Sequence, residues 1–182
     1  AASDVYKRQA LEANTTASYN VAVGYNAALV NTTGSSITAI GGFALDANTT
    51  GANLTAIGVG AIGSNTTADD NVAIGVQALN VNTTGANNMF IGYQTGADST
   101  GAHTGSFNMF IGNQAGYKTE GGSRNTFIGN QAGTNNVSGA KNIYMGNYCT
   151  SCIESINMFG PSPKVMKCKF CNKKKWRGND TV

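Results

Sequence analysis

The chain has 182 residues, of which 24 are Gly, 2 are Pro and only 12% are charged. That charged share is about half the usual one, which excludes a charge-rich disordered chain and a Glu/Lys-rich coiled coil. No apolar run approaches the ~18 residues of a membrane-crossing helix, so no membrane span is expected. The net charge of +3 averages unlike parts. Residues 10–160 carry three bases against seven acids, a net −4, and residues 161–182 carry seven bases against Asp180, a net +6. Pro161 and Pro163 stand where the sign changes, and a boundary is placed there.

Taken in chain order, Ala1 to Gln9 read AASDVYKRQ, which resembles one reading frame of a transposon-end sequencing adapter letter for letter. Residues 1–9 are expected to be an adapter-derived artefact, the native frame opening at Ala10 in mid-repeat.

From Ala10 onward the sequence repeats. A Gly follows a β-branched or large apolar residue at Gly24, Gly41, Gly58, Gly75, Gly92, Gly112, Gly129 and Gly146, at intervals of 17 residues with one interval of 20. So strict a period marks a stacked repeat architecture. One unit, Asn71 to Asn87, reads NVAIGVQALNVNTTGAN. Seventeen residues are too few for a helical hairpin, and the segment before each Gly alternates with period two, as in Val21-Ala22-Val23 and Thr55-Ala56-Ile57. Asn-Thr-Thr-Gly supplies a turn half a unit later. Each unit is predicted to form one coil of an all-β solenoid, with about two short strands and two corners. About eight coils stacked ~4.8 Å apart make a rod on the order of 40 Å long, spanning residues 10–160.

Counting each unit from the residue equivalent to Asn71, the third and ninth positions change together. Ala39 with Leu45, Ala56 with Ile62 and Ala73 with Leu79 give way to Phe90 with Gly96, Phe110 with Gly116 and Phe127 with Gly133. The exchange roughly conserves volume, as a close-packed interior demands, so the two positions are predicted to share one space. The first coil has Ala22 with Ala28, and Leu29 is the candidate to fill that gap. Asn14, Asn31, Asn48, Asn65 and Asn82 recur at the twelfth position. They are either an amide ladder between coils or simply turn-favouring residues. Their Asn-Thr-Thr triplets match the N-glycosylation pattern, but repetition accounts for the match. The Thr columns also invite an ice-binding reading, against which stands the expectation that adjacent threonines in a strand face opposite ways.

NVAIGVQALNVNTTGAN, NMFIGNQAG and NTFIGNQAG resemble the repeats of phage tail-fibre proteins and related bacterial surface proteins and, more distantly, the head repeats of trimeric autotransporter adhesins. The resemblance covers residues 10 to about 148. It implies a left-handed β-roll assembled as a parallel homotrimer, extracellular, on a virion tail fibre or a bacterial cell surface, and bound to a host-surface glycan or protein receptor.

No catalytic constellation can be assembled around His103, the single histidine, and the expectation is a non-catalytic protein. The one irregular unit runs from Asn88 to Phe107, and its extra residues fall between Ala97 and Ser106. Insertions in repeats map to loops on one face, so Asp98 and His103 are the candidate receptor-contact residues, beside the alternative of a tolerated bulge.

The four cysteines form two pairs, Cys149–Cys152 and Cys168–Cys171, fifteen residues apart. This spacing fits a zinc ribbon, in which each knuckle offers two thiolates to a tetrahedral ion. A structural zinc held by Cys149, Cys152, Cys168 and Cys171 is therefore one reading, and no other cofactor is expected. The competing readings are core packing of Cys149, two disulfides, or a tail at 161–182 that is not native. The basic tail, with Phe170 and Trp176, frames an alternative function: a zinc-ribbon module binding nucleic acid, with the solenoid as spacer. Nucleic acid is otherwise not an expected partner.

Overall fold

The structure, a computed structural model, describes residues 10–97 and 101–149. The expectations for residues 1–9, for Asp98, for Cys152, Cys168 and Cys171, and for the boundary at 161–182 lie outside the described residues. Each repeat contributes one three-residue strand: β1 (Val21–Val23), β2 (Thr38–Ile40), β3 (Thr55–Ile57), β4 (Val72–Ile74), β5 (Met89–Ile91), β6 (Met109–Ile111), β7 (Thr126–Ile128) and β8 (Ile143–Met145). The strands form a single parallel sheet in chain order, each residue registered with its equivalent one repeat later, such as Ala39 with Ala56 and Phe90 with Phe110. Seven such pairings make about seven full turns of a β-solenoid.

The expectation of two strands per coil is corrected to one. The Asn-Thr-Thr-Gly half does not alternate: Asn48 and Gly51 are buried, and Thr49 and Thr50 between them both reach the surface. Its inter-coil bonds are also shared rather than laddered, since Thr32 N–H and Thr33 N–H both donate to the Thr49 carbonyl, at 2.9 and 3.2 Å. For the same reason both threonines of a pair face outward, against the strand-based expectation. The first hydroxyl of the earlier pairs is engaged along the rod, with Thr15 Oγ1 donating to Thr32 O at 3.1 Å, Thr32 Oγ1 to Thr49 O at 3.0 Å and Thr49 Oγ1 to Thr66 O at 2.9 Å.

A 17-residue circuit without helices requires sharp bends. The marker Gly that follows each strand has φ between +119 and +138°, a region essentially closed to L-residues with a side chain. A Cβ at Gly24 would lie 2.6 Å from the Gly41 carbonyl oxygen, so the coils also stack too closely there for any side chain. Three more bends per coil use the left-handed region, at Gln77 (φ 56°), Leu79 (φ 52°) and Asn87 (φ 59°) in the fourth coil. Ile62, at φ 51°, accepts this conformation despite its branched Cβ, because its side chain is wholly buried in the core.

The core runs along the axis. Residues of the third, eighth and ninth positions fill it, joined by Ile37 and Leu54 of the first, and the third and ninth share one space as predicted. A methyl group built at Gly96, Gly116 or Gly133 would collide with the ring of Phe90, Phe110 or Phe127 respectively. Those rings and Tyr144 form a continuous stack, with centroid separations of 4.4, 4.4 and 4.7 Å. At the other end Leu29 stays half-exposed, while Ala10, Leu11 and Ala22 pack against the core. The expected gap-filler, Leu29, is thus not among the residues packed on the core, whereas Leu11, the ninth-position residue of the preceding partial coil, is.

The twelfth-position asparagines form the ladder. Asn48 Nδ2 donates to Asn31 Oδ1 at 2.8 Å, Asn65 to Asn48 at 2.8 Å and Asn82 to Asn65 at 3.0 Å. Each also turns its Nδ2 to a carbonyl three residues on, such as Asn48 to Gly51 O at 2.9 Å. The turn preference and the ladder are therefore one arrangement. Asn31, Asn48, Asn65 and Asn82 are fully buried, which leaves no room for a glycan on them. A second ladder occupies the first position: the backbone N–H groups of Asn88, Asn108, Asn125 and Asn142 each donate to the side-chain Oδ1 of the first-position Asn one coil before, at 2.9 to 3.0 Å.

Candidate functional site

The strand sequence decides which surface the solenoid presents. In a three-residue strand the middle side chain points inward and its neighbours outward. The outward pair is Val21 and Val23 in β1, Thr38 and Ile40 in β2, Val72 and Ile74 in β4, Met89 and Ile91 in β5, and Ile143 and Met145 in β8. Ile or its equivalent recurs in the second outward column at Val23, Ile40, Ile57, Ile74, Ile91, Ile111, Ile128 and Met145. The corner beside this column adds Tyr25, Val59, Val76 and Tyr93, each 43 to 52% exposed. No charged residue interrupts either outward strand column. The second column is apolar in every coil, whereas the first sets Thr38, Thr55 and Thr126 among Val, Met and Ile, and the corner turns to Asn113, Asn130 and Asn147 in the last three coils. The result is an uncharged strip ~34 Å long, from seven inter-strand spacings, with an apolar spine along it. Ordered apolar strips of this extent mark interaction surfaces on soluble proteins.

The remaining faces mix polar side chains with scattered exposed apolar ones such as Val30, Phe43 and Phe107. Asp69 accepts the Ala52 N–H at 2.7 Å and Asp70 accepts the Asn53 side-chain amide at 3.0 Å, so the acidic pair ties a corner to the preceding coil. Gln94, Gln114 and Gln131 extend a further amide column, each donating to the Gln one coil before it, at 2.8, 3.0 and 3.0 Å. Arg124 lies over the Phe107 ring at 5.5 Å. Burial holds the Asp46 carboxyl above its ordinary range.

The predicted receptor-contact loop is corrected at His103. Its side chain is fully buried, set edge-on against Phe90 with ring centroids 5.1 Å apart, and burial lowers its pKa to about 4. The backbone explains the placement: His103 N–H donates to Val81 O at 2.9 Å and Thr83 N–H donates to His103 O at 3.1 Å. The insertion thus returns to the solenoid at His103 and delivers an imidazole where the earlier coils carry Asn. Asp98, its proposed companion, lies outside the described residues.

Of the four cysteines only Cys149 is described. Its side chain belongs to the hydrophobic core, in the column filled by Ala115 and Ala132. This is the core-packing reading of that residue. Among the described residues, no group of three or more His, Cys, Asp or Glu side chains is placed to hold a metal ion, and no helix is long and apolar enough to cross a membrane. The marker glycines are structural: each seats a bend of the coil.

No protein-family model, curated protein or solved structure matches the chain.

Proposed function

We propose that the chain is a structural and adhesive fibre segment, non-catalytic, in which parallel copies pack through their strand faces into a homotrimer. The supporting observation is the uncharged strip whose apolar spine, from Val23 to Met145, runs the whole length of the sheet. A thin solenoid has too little interior to bury it, and a parallel neighbour presents the same strip in the same register. The resemblance of the repeats to tail-fibre and adhesin-head repeats favours three copies and an extracellular setting, on a virion tail fibre or a bacterial surface. The mechanism in this reading is rigid extension with multivalent display, in which several weak contacts to a host-surface glycan or protein gain avidity on one rod. Sedimentation equilibrium of the full chain tests the assembly. A trimer that dissociates when Ile40 and Ile74 are both changed to Lys is the expected result. A wild-type chain that sediments as a monomer at tens of micromolar overturns the reading.

A further inference from the structure

The twelfth-position amide ladder breaks at the fifth coil, and the break leaves a cluster of buried polar atoms without partners. Asn31 and its successors up to Asn82 each donate to the preceding Oδ1, but Asn82 Oδ1 itself has no donor. The residue bridged to Asn82 in the next coil is His103, and neither of its ring nitrogens has a hydrogen-bond partner. One coil further, Thr104 N–H donates to Glu120 O at 2.8 Å, which brings the buried Thr119 beside His103. The Thr119 Oγ1 is also unpartnered. Four unsatisfied polar atoms therefore stand on three neighbouring coils, on residues no more than 2% exposed.

Their chemistry specifies the occupant. Asn82 Oδ1 only accepts, a neutral imidazole offers one N–H and one lone pair, and the threonine hydroxyl does either. No charged side chain belongs to the set of unpartnered atoms, and the carboxyl of the neighbouring Glu120 packs against Gly101. A neutral group with two donors and two acceptors complements this arrangement, and an ion does not. The ring nitrogens point in different directions, so one molecule cannot meet both. Buried polar groups that lack protein partners are met by ordered water in native proteins.

We propose that coils four to six enclose an internal hydration site of at least two waters, one at each His103 ring nitrogen, which between them also meet Asn82 Oδ1 and Thr119 Oγ1. The site lies where the twelfth-position ladder ends and the first-position ladder takes over, at the point where the longer unit rejoins the solenoid. It does not depend on the fibre reading, since it is internal to one chain.

His103 is the only histidine, so its ring reports without overlap. The experiment uses the full chain with nitrogen-15-labelled histidine. Cross-relaxation between ring protons and water is read alongside the number of long-lived waters from oxygen-17 relaxation dispersion. The expected result is ring–water cross-peaks in the wild type and one or two fewer long-lived waters in His103→Asn, whose amide continues the ladder. Thr119→Val, which keeps the shape and removes the hydroxyl, is expected to lose one and to shift a ring nitrogen resonance. Absence of ring–water cross-peaks overturns the proposal. A water count unchanged in Thr119→Val, or in a folded His103→Asn, does the same.

Discussion

The shared space of the third and ninth positions predicts a large coupling between Phe110 and Gly116. Phe110→Ala removes a fully buried ring from the middle of the aromatic stack and is expected to destabilise by about 3–5 kcal/mol. Gly116→Leu alone drives a side chain into that ring, because even a Cβ there collides with it, and overpacking adds about 1–3 kcal/mol. The left-handed backbone at Gly116, φ 59°, adds about 1 kcal/mol more for any residue with a side chain. The double variant recreates the Ala73–Leu79 pairing of the fourth coil, where Leu79 already sits at φ 52°. What it retains is the backbone strain and the lost ring–ring contacts, together about 2 kcal/mol. The singles sum to at least about 5 kcal/mol, so the cycle should close with a coupling of about 3 kcal/mol or more in favour of the double variant. Urea unfolding followed by circular dichroism, at one protein concentration, measures all four proteins. Additive effects within about 0.5 kcal/mol would refute the shared-space argument.

Gly75→Ala should prevent native stacking, since its φ of +136° and the overlap of a Cβ with the Gly92 carbonyl leave no relaxation route; loss of the sheet signal in circular dichroism checks this. Asn48→Ala removes two bonds donated by its amide and one accepted by its carbonyl, and should lower stability by about 2–4 kcal/mol in urea unfolding. Acidification should weaken the fold through His103. Its folded pKa of about 4 lies below the ordinary 6.5, so the unfolded chain holds more protons in that window and stability falls as pH drops from 6.5 to 4. The limit is about 3 kcal/mol, read as the difference between wild type and His103→Asn in melts across that range.

How much of this could be read from the sequence depends on whether the physics was local or vertical. The repeat, the Gly bends and the Ala/Leu-to-Phe/Gly exchange were readable, because each is a side-chain volume or backbone requirement visible within one unit. The second strand was not there, because the Asn-Thr-Thr-Gly half obeys a rule of two buried residues around two exposed ones, which period-two reasoning does not describe. The first-position ladder of Asn88, Asn108, Asn125 and Asn142 is not legible in the repeat, because Ile37 and Leu54 occupy the same column in earlier coils. His103 was misplaced for a related reason. An insertion reads as a surface loop, and only the backbone bonds to Val81 and Thr83 reveal that the chain re-enters the interior at that residue. The apolar strip was present in the strand sequences all along, as the outward half of the same alternation that built the core.

The single in-register sheet also has a mechanical consequence. All seven strand pairings place their hydrogen bonds along the rod axis, at right angles to the chain. Tension applied between the two ends therefore meets those bonds in series, one coil after another, like links rather than like strands of a cable. Each coil that opens converts ~4.8 Å of rod into ~58 Å of extended chain, its 17 residues at about 3.4 Å each. Under load such a rod lengthens stepwise and dissipates work at each step.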